Sequence, residues 1–361
     1  MNSVHLGWSP FFENQLASGD RSRYSVGRIL EERKSCYVLL TEDGSELLAS
    51  LAGRLQHEAS GRGELPSVGD WVCASVRTDE GRATIHRLFE RRTKIARKGA
   101  GSVTDEQVLA ANMDTVLIVS SLTQDLNPRR IERYLALAWE SGARPVLILT
   151  KADLCEEWAE AAAEIKWVAP SVPVHVVSAL EGSGLDALAG YLGPGQTSVL
   201  LGSSGVGKST LVNRILGEDR QEVRETRSHD DRGKHTTTSR QLVFLPGGGM
   251  IIDTPGMREL QLWDADAGLG QAFPDVEQAA KLCRFTDCGH HTGTPGCGVQ
   301  AAIESGALPP ERVESWFKLG RELAFLDRKQ DKKAQSEREK KLRPITLARR
   351  TINLGKQGGT Q

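Results

Sequence analysis

Residues 202–209 read Gly202-Ser-Ser-Gly-Val-Gly-Lys208-Ser209 and fit G-x-x-x-x-G-K-[ST], the phosphate-loop pattern. An apolar run, Ser198-Val-Leu-Leu201, precedes the stretch, and helix-forming sequence from Ser209 to Leu216 follows it. Phosphate binding needs that strand–loop–helix context. Glycines at Gly202, Gly205 and Gly207 let successive backbone N–H groups turn inward around a β-phosphate, at a helix N-terminus whose dipole favours anions. Lys208 neutralises β- and γ-phosphate oxygens, and Ser209 offers a hydroxyl to Mg²⁺. Ser203, Ser204, Val206 and Thr210 complete the stretch expected to touch nucleotide.

Working outward, three more motifs follow apolar runs that read as strands buried on both faces. Asp253-Thr-Pro-Gly256 ends the run Met250–Ile252. Its aspartate is expected to hold Mg²⁺ through water, and the Gly256 N–H to sense a γ-phosphate. Thr150-Lys151-Ala152-Asp153 follows Pro145–Leu149. The Asp153 carboxylate can accept hydrogen bonds from guanine N1–H and the exocyclic amine, a donor pair that adenine lacks on that edge. That disfavours the rival reading of a P-loop ATPase or kinase. Lys151 would lay its methylenes along the base, and Ser178-Ala179, after the run Val174–Val177, would present an N–H to guanine O6.

Between phosphate loop and Asp253 lies Arg232-Gly-Lys-His235-Thr236-Thr237-Thr238. One of the threonines, with Thr237 favoured, is placed to add a hydroxyl to Mg²⁺. Position 257 is Met, which cannot orient the attacking water as a Gln there would. His235 is the candidate replacement, as water-orienting group or base; contact with RNA or simple packing is the alternative. The catalytic set expected from sequence is therefore His235, Lys208 and Thr237. The motif order is permuted: the base-reading loops precede the phosphate loop. The site survives because every motif is a loop at one edge of the same sheet.

The flanks differ in texture. Tyr24–Leu30, Cys36–Leu40, Glu46–Leu51, Trp71–Val76 and Ala83–His86 read as five short strands, as in a small closed barrel of the OB type, with an SH3-like barrel as the alternative. Residues 1–20 show no periodicity and read as a loose arm, and Lys98-Gly-Ala-Gly-Ser102 as a Gly-rich joint. Past Ala272 the strands stop, and helix-forming sequence runs from Pro310 to Asp327 into a Lys/Arg-rich tail. The expected division is an arm at 1–20, an OB barrel at 21–98, a circularly permuted α/β P-loop GTPase domain at 103–271 and a helical metal-binding domain at 272–361. Charge is segregated: Lys+Arg against Asp+Glu is 15 to 11 over 21–98, 16 to 25 over 105–281 and 13 to 5 over 318–361. Basic flanks suit a polyanionic partner. No run approaches the roughly 18 apolar residues of a membrane span, and the N-terminus lacks the pattern of a signal peptide, so a cytoplasmic protein, by default a monomer, is expected.

The motif order, the barrel before it and the cysteines after it resemble the ribosome small-subunit-dependent GTPase A family over roughly residues 22–320. The resemblance is carried by Gly69-Asp70-Trp71-Val72, Thr150–Asp153, the phosphate loop, Gly233–Thr238, Asp253–Gly256 with Arg258-Glu259, and the cysteine pattern. It implies a factor that binds the 30S subunit and its 16S rRNA late in maturation and hydrolyses GTP in response; a nucleotide-regulated module acting on another RNA is the alternative. Thr150 departs from the family, where asparagine is commoner and supplies a bridging amide. Cys283, Cys288, His290 and Cys297 give three thiolates and an imidazole, a closed tetrahedral set for one structural Zn²⁺. The resemblance assigns the ligands to these same four positions, with His291 as the competing imidazole. GTP or GDP and Mg²⁺ complete the expected cofactors.

Overall fold

The computed structural model describes residues 6–98, 106–123, 126–217, 240–253 and 266–325. The five N-terminal strands are β1 (Ser25–Glu32), β2 (Tyr37–Thr41), β3 (Glu46–Leu51), β4 (Trp71–Arg77) and β5 (Arg82–Leu88). They pair in the cycle β1-β2-β3-β5-β4-β1, with only β3–β5 parallel. This is a closed OB-type barrel. Alternating residues Ile29, Leu39, Leu47, Ala49, Val72, Ala74, Ala83 and Ile85 fill it, as the period of two along each strand requires. At Gly27, a side chain would meet Leu39 Cδ1 at 2.7 Å and Leu40 O at 2.9 Å. The bare backbone is what lets β1 lie this close to β2.

From Leu6 onward the N-terminal segment is docked on the barrel, which corrects the expectation of a loose arm for the described residues. Leu6 and Phe12 are buried, and the Trp8 ring meets Trp71 edge-on at 4.8 Å and Phe89 at 5.3 Å. The aromatics cluster in a short stretch broken by Pro10, so they bury apolar area without a helical or strand period. Residues 99–102 of the expected Gly-rich joint lie outside the described residues. Lys94–Lys98 (β6) and Glu106–Ala111 (β7) form an antiparallel ribbon, which alternating charge and the glycines between had disguised.

The α/β sheet comprises β8 (Thr115–Ser121), β9 (Arg144–Thr150), β10 (Val174–Val176), β11 (Thr197–Leu201), β12 (Gln241–Phe244) and β13 (Met250–Asp253). Their order is β10-β9-β8-β11-β13-β12. All run parallel except β12, which makes a hairpin with β13 and touches β1 at Glu31–Gln241, joining barrel and sheet. The chain winds outward from β8 to β10, then restarts at β11 on the other side of β8. That reversal opens a crevice at the strands' C-terminal ends, where ligands of such sheets bind.

Arg28 of β1 locks barrel to sheet. Its guanidinium is buried, donates to the carbonyls of Leu6, Gly69 (3.2 Å) and Asn112 (3.0 Å) and lies over the Trp71 ring. Burial pushes its pKa down to about 10, opposed by Asp114 and Asp70, so it stays cationic at neutral pH. Gly69 (φ +90°) approaches Ala111 so closely that a Cβ would sit 2.1 Å from its carbonyl oxygen. Past the sheet lie helices Asp266–Ala272, Pro274–Ala280 and Gly298–Glu304 and helical residues 310–325.

Candidate nucleotide site and Cys–His centre

β11 is buried throughout, so its last residue delivers the phosphate loop to the crevice beside β8. Gly202 leaves the strand at φ +154°, where a Cβ would stand 2.3 Å from Val119 O; no side chain fits. Gly207 (φ +94°) is the N-cap of the helix Lys208–Leu216. Lys208 folds back over the loop, its Nζ donating to Gly202 O at 2.7 Å and Ser203 O at 2.5 Å. The ammonium is thus held at the start of the loop, and Ser209 and Thr210 occupy the first turn behind it. Asp253 at the end of β13 faces the same charge. Burial pushes its carboxyl above the ordinary range, and Lys208 opposes that. The four catalytic or magnesium candidates His235, Thr236, Thr237 and Thr238, with Gly256 and Met257, lie outside the described residues.

The base-reading residues converge on the far side of the loop. Thr150 ends β9, and its hydroxyl donates to Val206 O at 2.5 Å while lying 3.2 Å from Ser120 O. The hydroxyl therefore ties the base-reading loop to the phosphate loop, a bridge the sequence reading gave only to an asparagine. Lys151 takes a left-handed conformation, φ +60°, which turns the chain into the short helix Ala152–Leu154. The Ser178 hydroxyl donates to Asp153 Oδ1 at 2.5 Å and accepts from Glu181 N. That contact was not legible from sequence, where Ser178 and Ala179 figured only as backbone donors. It fixes the orientation of the carboxylate.

Replacing Thr150 with Val keeps the shape and removes the hydroxyl. The Val206 carbonyl then loses its donor, at a cost of about 1–2 kcal/mol. Titration with GTP and GDP should show both binding roughly tenfold more weakly in Thr150→Val; unchanged affinity would show the tie to be dispensable.

In the C-terminal unit the Sγ atoms of Cys283, Cys288 and Cys297 and an imidazole nitrogen of His290 lie within 4.8 Å of one another. Cys283 and Cys297 Sγ are 3.9 Å apart, and each is 3.5 Å from His290 Nδ1. A tetrahedral ion with metal–sulfur bonds of about 2.3 Å spaces its sulfurs about 3.8 Å apart, so the donors stand where such an ion needs them. Gly298 N donates to Cys283 Sγ and Gln300 N to Cys297 Sγ, contacts that favour thiolates. Gln300 also donates to His290 O at 2.8 Å. His291 turns away and stacks on Phe317.

A phosphate loop, a guanine-type acceptor and an aspartate-ended strand on one crevice, reached in permuted chain order, define a circularly permuted P-loop GTPase. Comparison with known proteins gives the particular family. The RsgA GTPase family model matches residues 88–263. The chain is 44% identical to the small ribosomal subunit biogenesis GTPase RsgA of Opitutus terrae, over 98% of this chain and 99% of that one. It is 43% identical to the protein of that name from Methanosarcina acetivorans, over 94% and 93%. The crystal structure of YjeQ from Thermotoga maritima superposes with a TM-score of 0.65 at 26% identity, covering 83% of this chain and 99% of that one. The chain belongs to the RsgA GTPase family.

Proposed function

We propose that this GTPase binds the small (30S) ribosomal subunit and its 16S rRNA and couples GTP hydrolysis to a late step of subunit maturation. The observation that carries this reading is the joining of one permuted nucleotide crevice to a barrel on one side and a Cys₃His unit on the other, together with relatives named for small-subunit biogenesis. The division into a barrel at 21–98, GTPase at 103–271 and metal unit at 272–361 belongs to the same proposal. So do a cytoplasmic location and a monomeric state. Among the described residues no helix is long and apolar enough to cross a membrane.

In this reading Gly202 to Thr210 cradle the phosphates, and Thr150 to Asp153 with Ser178 and Ala179 read guanine. Ser209 and Thr237, with Asp253 through water, hold Mg²⁺, which supplies charge neutralisation at the β- and γ-phosphates. Cys283, Cys288, His290 and Cys297 hold a structural Zn²⁺; four protein ligands leave it no open position for chemistry. Met257 leaves the attacking water unoriented, so turnover is slow until 30S contacts complete the site around His235. His235→Ala should therefore keep GTP affinity and lose stimulated turnover, whereas unchanged stimulated turnover would assign His235 to packing or RNA contact.

Co-sedimentation with purified 30S, 50S and 70S particles, with GDP or a non-hydrolysable GTP analogue, tests the partner. The protein is expected in the 30S pellet, more with the analogue than with GDP, and less as salt rises because much of the attraction is to phosphate. Absence from the 30S pellet with retained binding to another RNA would instead favour a nucleotide-regulated module acting elsewhere.

A further inference from the structure

The helix Pro128–Glu140 follows β8 and is started by Asn127, whose side chain accepts from Arg130 N. Two turns of that helix carry charged residues that the nucleotide motifs do not explain. At the first turn Arg130 reaches across to the phosphate loop, its Nη1 donating to Ser203 Oγ at 2.9 Å. Ser203 is the same residue whose carbonyl accepts from Lys208 Nζ. Arg130 and Lys208 thus hold opposite ends of one loop residue.

The rest of the helix is gripped by the C-terminal unit. Arg312 is buried and donates to Glu132, itself buried, at 3.0 Å, to Asp275, and to Val168 O and Ala272 O. Its guanidinium lies 4.7 Å from the Phe273 ring centre. Burial pushes the Glu132 carboxyl above its ordinary range while the Arg312 charge opposes it. Arg133 pairs with Glu322. Gly268 comes so near that a Cβ there would stand 2.2 Å from Ala136 O, and its N–H donates to Glu140. Solvation alone would leave such charges outside. Here they are spent on fixing the helix to the unit that carries the metal ligands.

We propose that Arg130 is a positioning residue of GTP hydrolysis, set in place by the docked C-terminal unit through the Glu132–Arg312 pair. The loop's first residues then take their hydrolytic geometry only when the helix is seated. Anything that shifts the C-terminal unit on its partner is felt at Ser203 through a rigid, hydrogen-bonded path. The proposal rests on the assignment of residues 202–210 as the phosphate loop.

The test is GTP turnover and nucleotide titration on full-length protein. Arg130→Ala is expected to lower kcat about tenfold, with KM and GDP affinity within about threefold of wild type. Arg130→Lys should recover part of the loss. Ser203→Ala should give a similar drop, and the double variant should be no slower than either single one, because both remove one contact. Glu132→Gln, which touches no nucleotide, should lower kcat in the same sense; if it fails to fold, Arg133→Ala on the partly exposed pair with Glu322 should do so more mildly. Additive Arg130 and Ser203 effects, or Glu132→Gln and Arg133→Ala proteins that melt earlier but turn over at the wild-type rate, would overturn the proposal. Lys208→Ala separates the two levels. If it binds nucleotide normally, the phosphate-loop assignment fails; if it loses binding while Arg130→Ala hydrolyses normally, only the role of Arg130 fails.

Discussion

Asp153→Asn should exchange guanine for xanthine as the preferred base. The carboxylate accepts two guanine donors, whereas an amide presents one donor and one acceptor, which match the carbonyl and N1–H of xanthine. Ser178 sharpens the expectation. Its hydroxyl donates to Asp153 Oδ1, so in the variant it would hold the amide oxygen at that place, leaving the NH₂ to donate to the xanthine carbonyl and the oxygen's second lone pair to accept from N1–H. A site built around one hydrogen-bonding pattern rejects the wrong partner by several orders of magnitude. GDP affinity should fall at least about a hundredfold, and XDP should bind far better than to wild type. Competition among GDP, XDP and ADP checks this. Wild type that binds ADP as well as GDP would remove Asp153 from base reading.

The second large effect concerns the proposed structural Zn²⁺. Residues 283–297 contain no helix or strand, and the donor atoms of Cys283, Cys288, His290 and Cys297 converge within them. Structural zinc supplies of the order of 10 kcal/mol of folding free energy to small sites. Cys288→Ser, or a strong chelator, should therefore strip about one zinc per chain, lower the melting temperature and open the 283–297 segment to proteases. The damage should spread to Arg312 and through it to Pro128–Glu140. Full zinc content and unchanged melting in Cys288→Ser would contradict this.

Much of the crevice was legible because its chemistry sits at strand ends. Continuous apolar runs such as Val116–Val119 and Val146–Leu149 are buried on both faces, and a short polar motif after each one marks the same sheet edge. The barrel's five strands were legible from alternation. Closure was expected from their number and spacing, but the particular pairing that closes the barrel, β1 with β4, was not, because long-range pairing leaves no local trace. The β6–β7 ribbon escaped because charge and glycine mimic a linker. Trp8 and Phe12 escaped because three aromatics around one proline have no period. Nothing local in the sequence separates Glu132 and Arg312 from solvated helix charges, and only their contact, 180 residues apart in sequence, reveals an internal pair. Thr150 shows the opposite limit. Substituting a hydroxyl for an amide looked like the loss of a bridge, yet it bonds the Val206 carbonyl.

Coupling of nucleotide chemistry to the small subunit is the centre of this account, and one measurement addresses it directly: steady-state GTP hydrolysis by the full chain alone, with 30S subunits and with 50S subunits, at fixed salt. Slow turnover is expected alone, with a rise of at least about tenfold with 30S particles and none with 50S particles, because only the specific partner completes the catalytic site. Equal rates in all three mixtures, or equal stimulation by both particles, would contradict it.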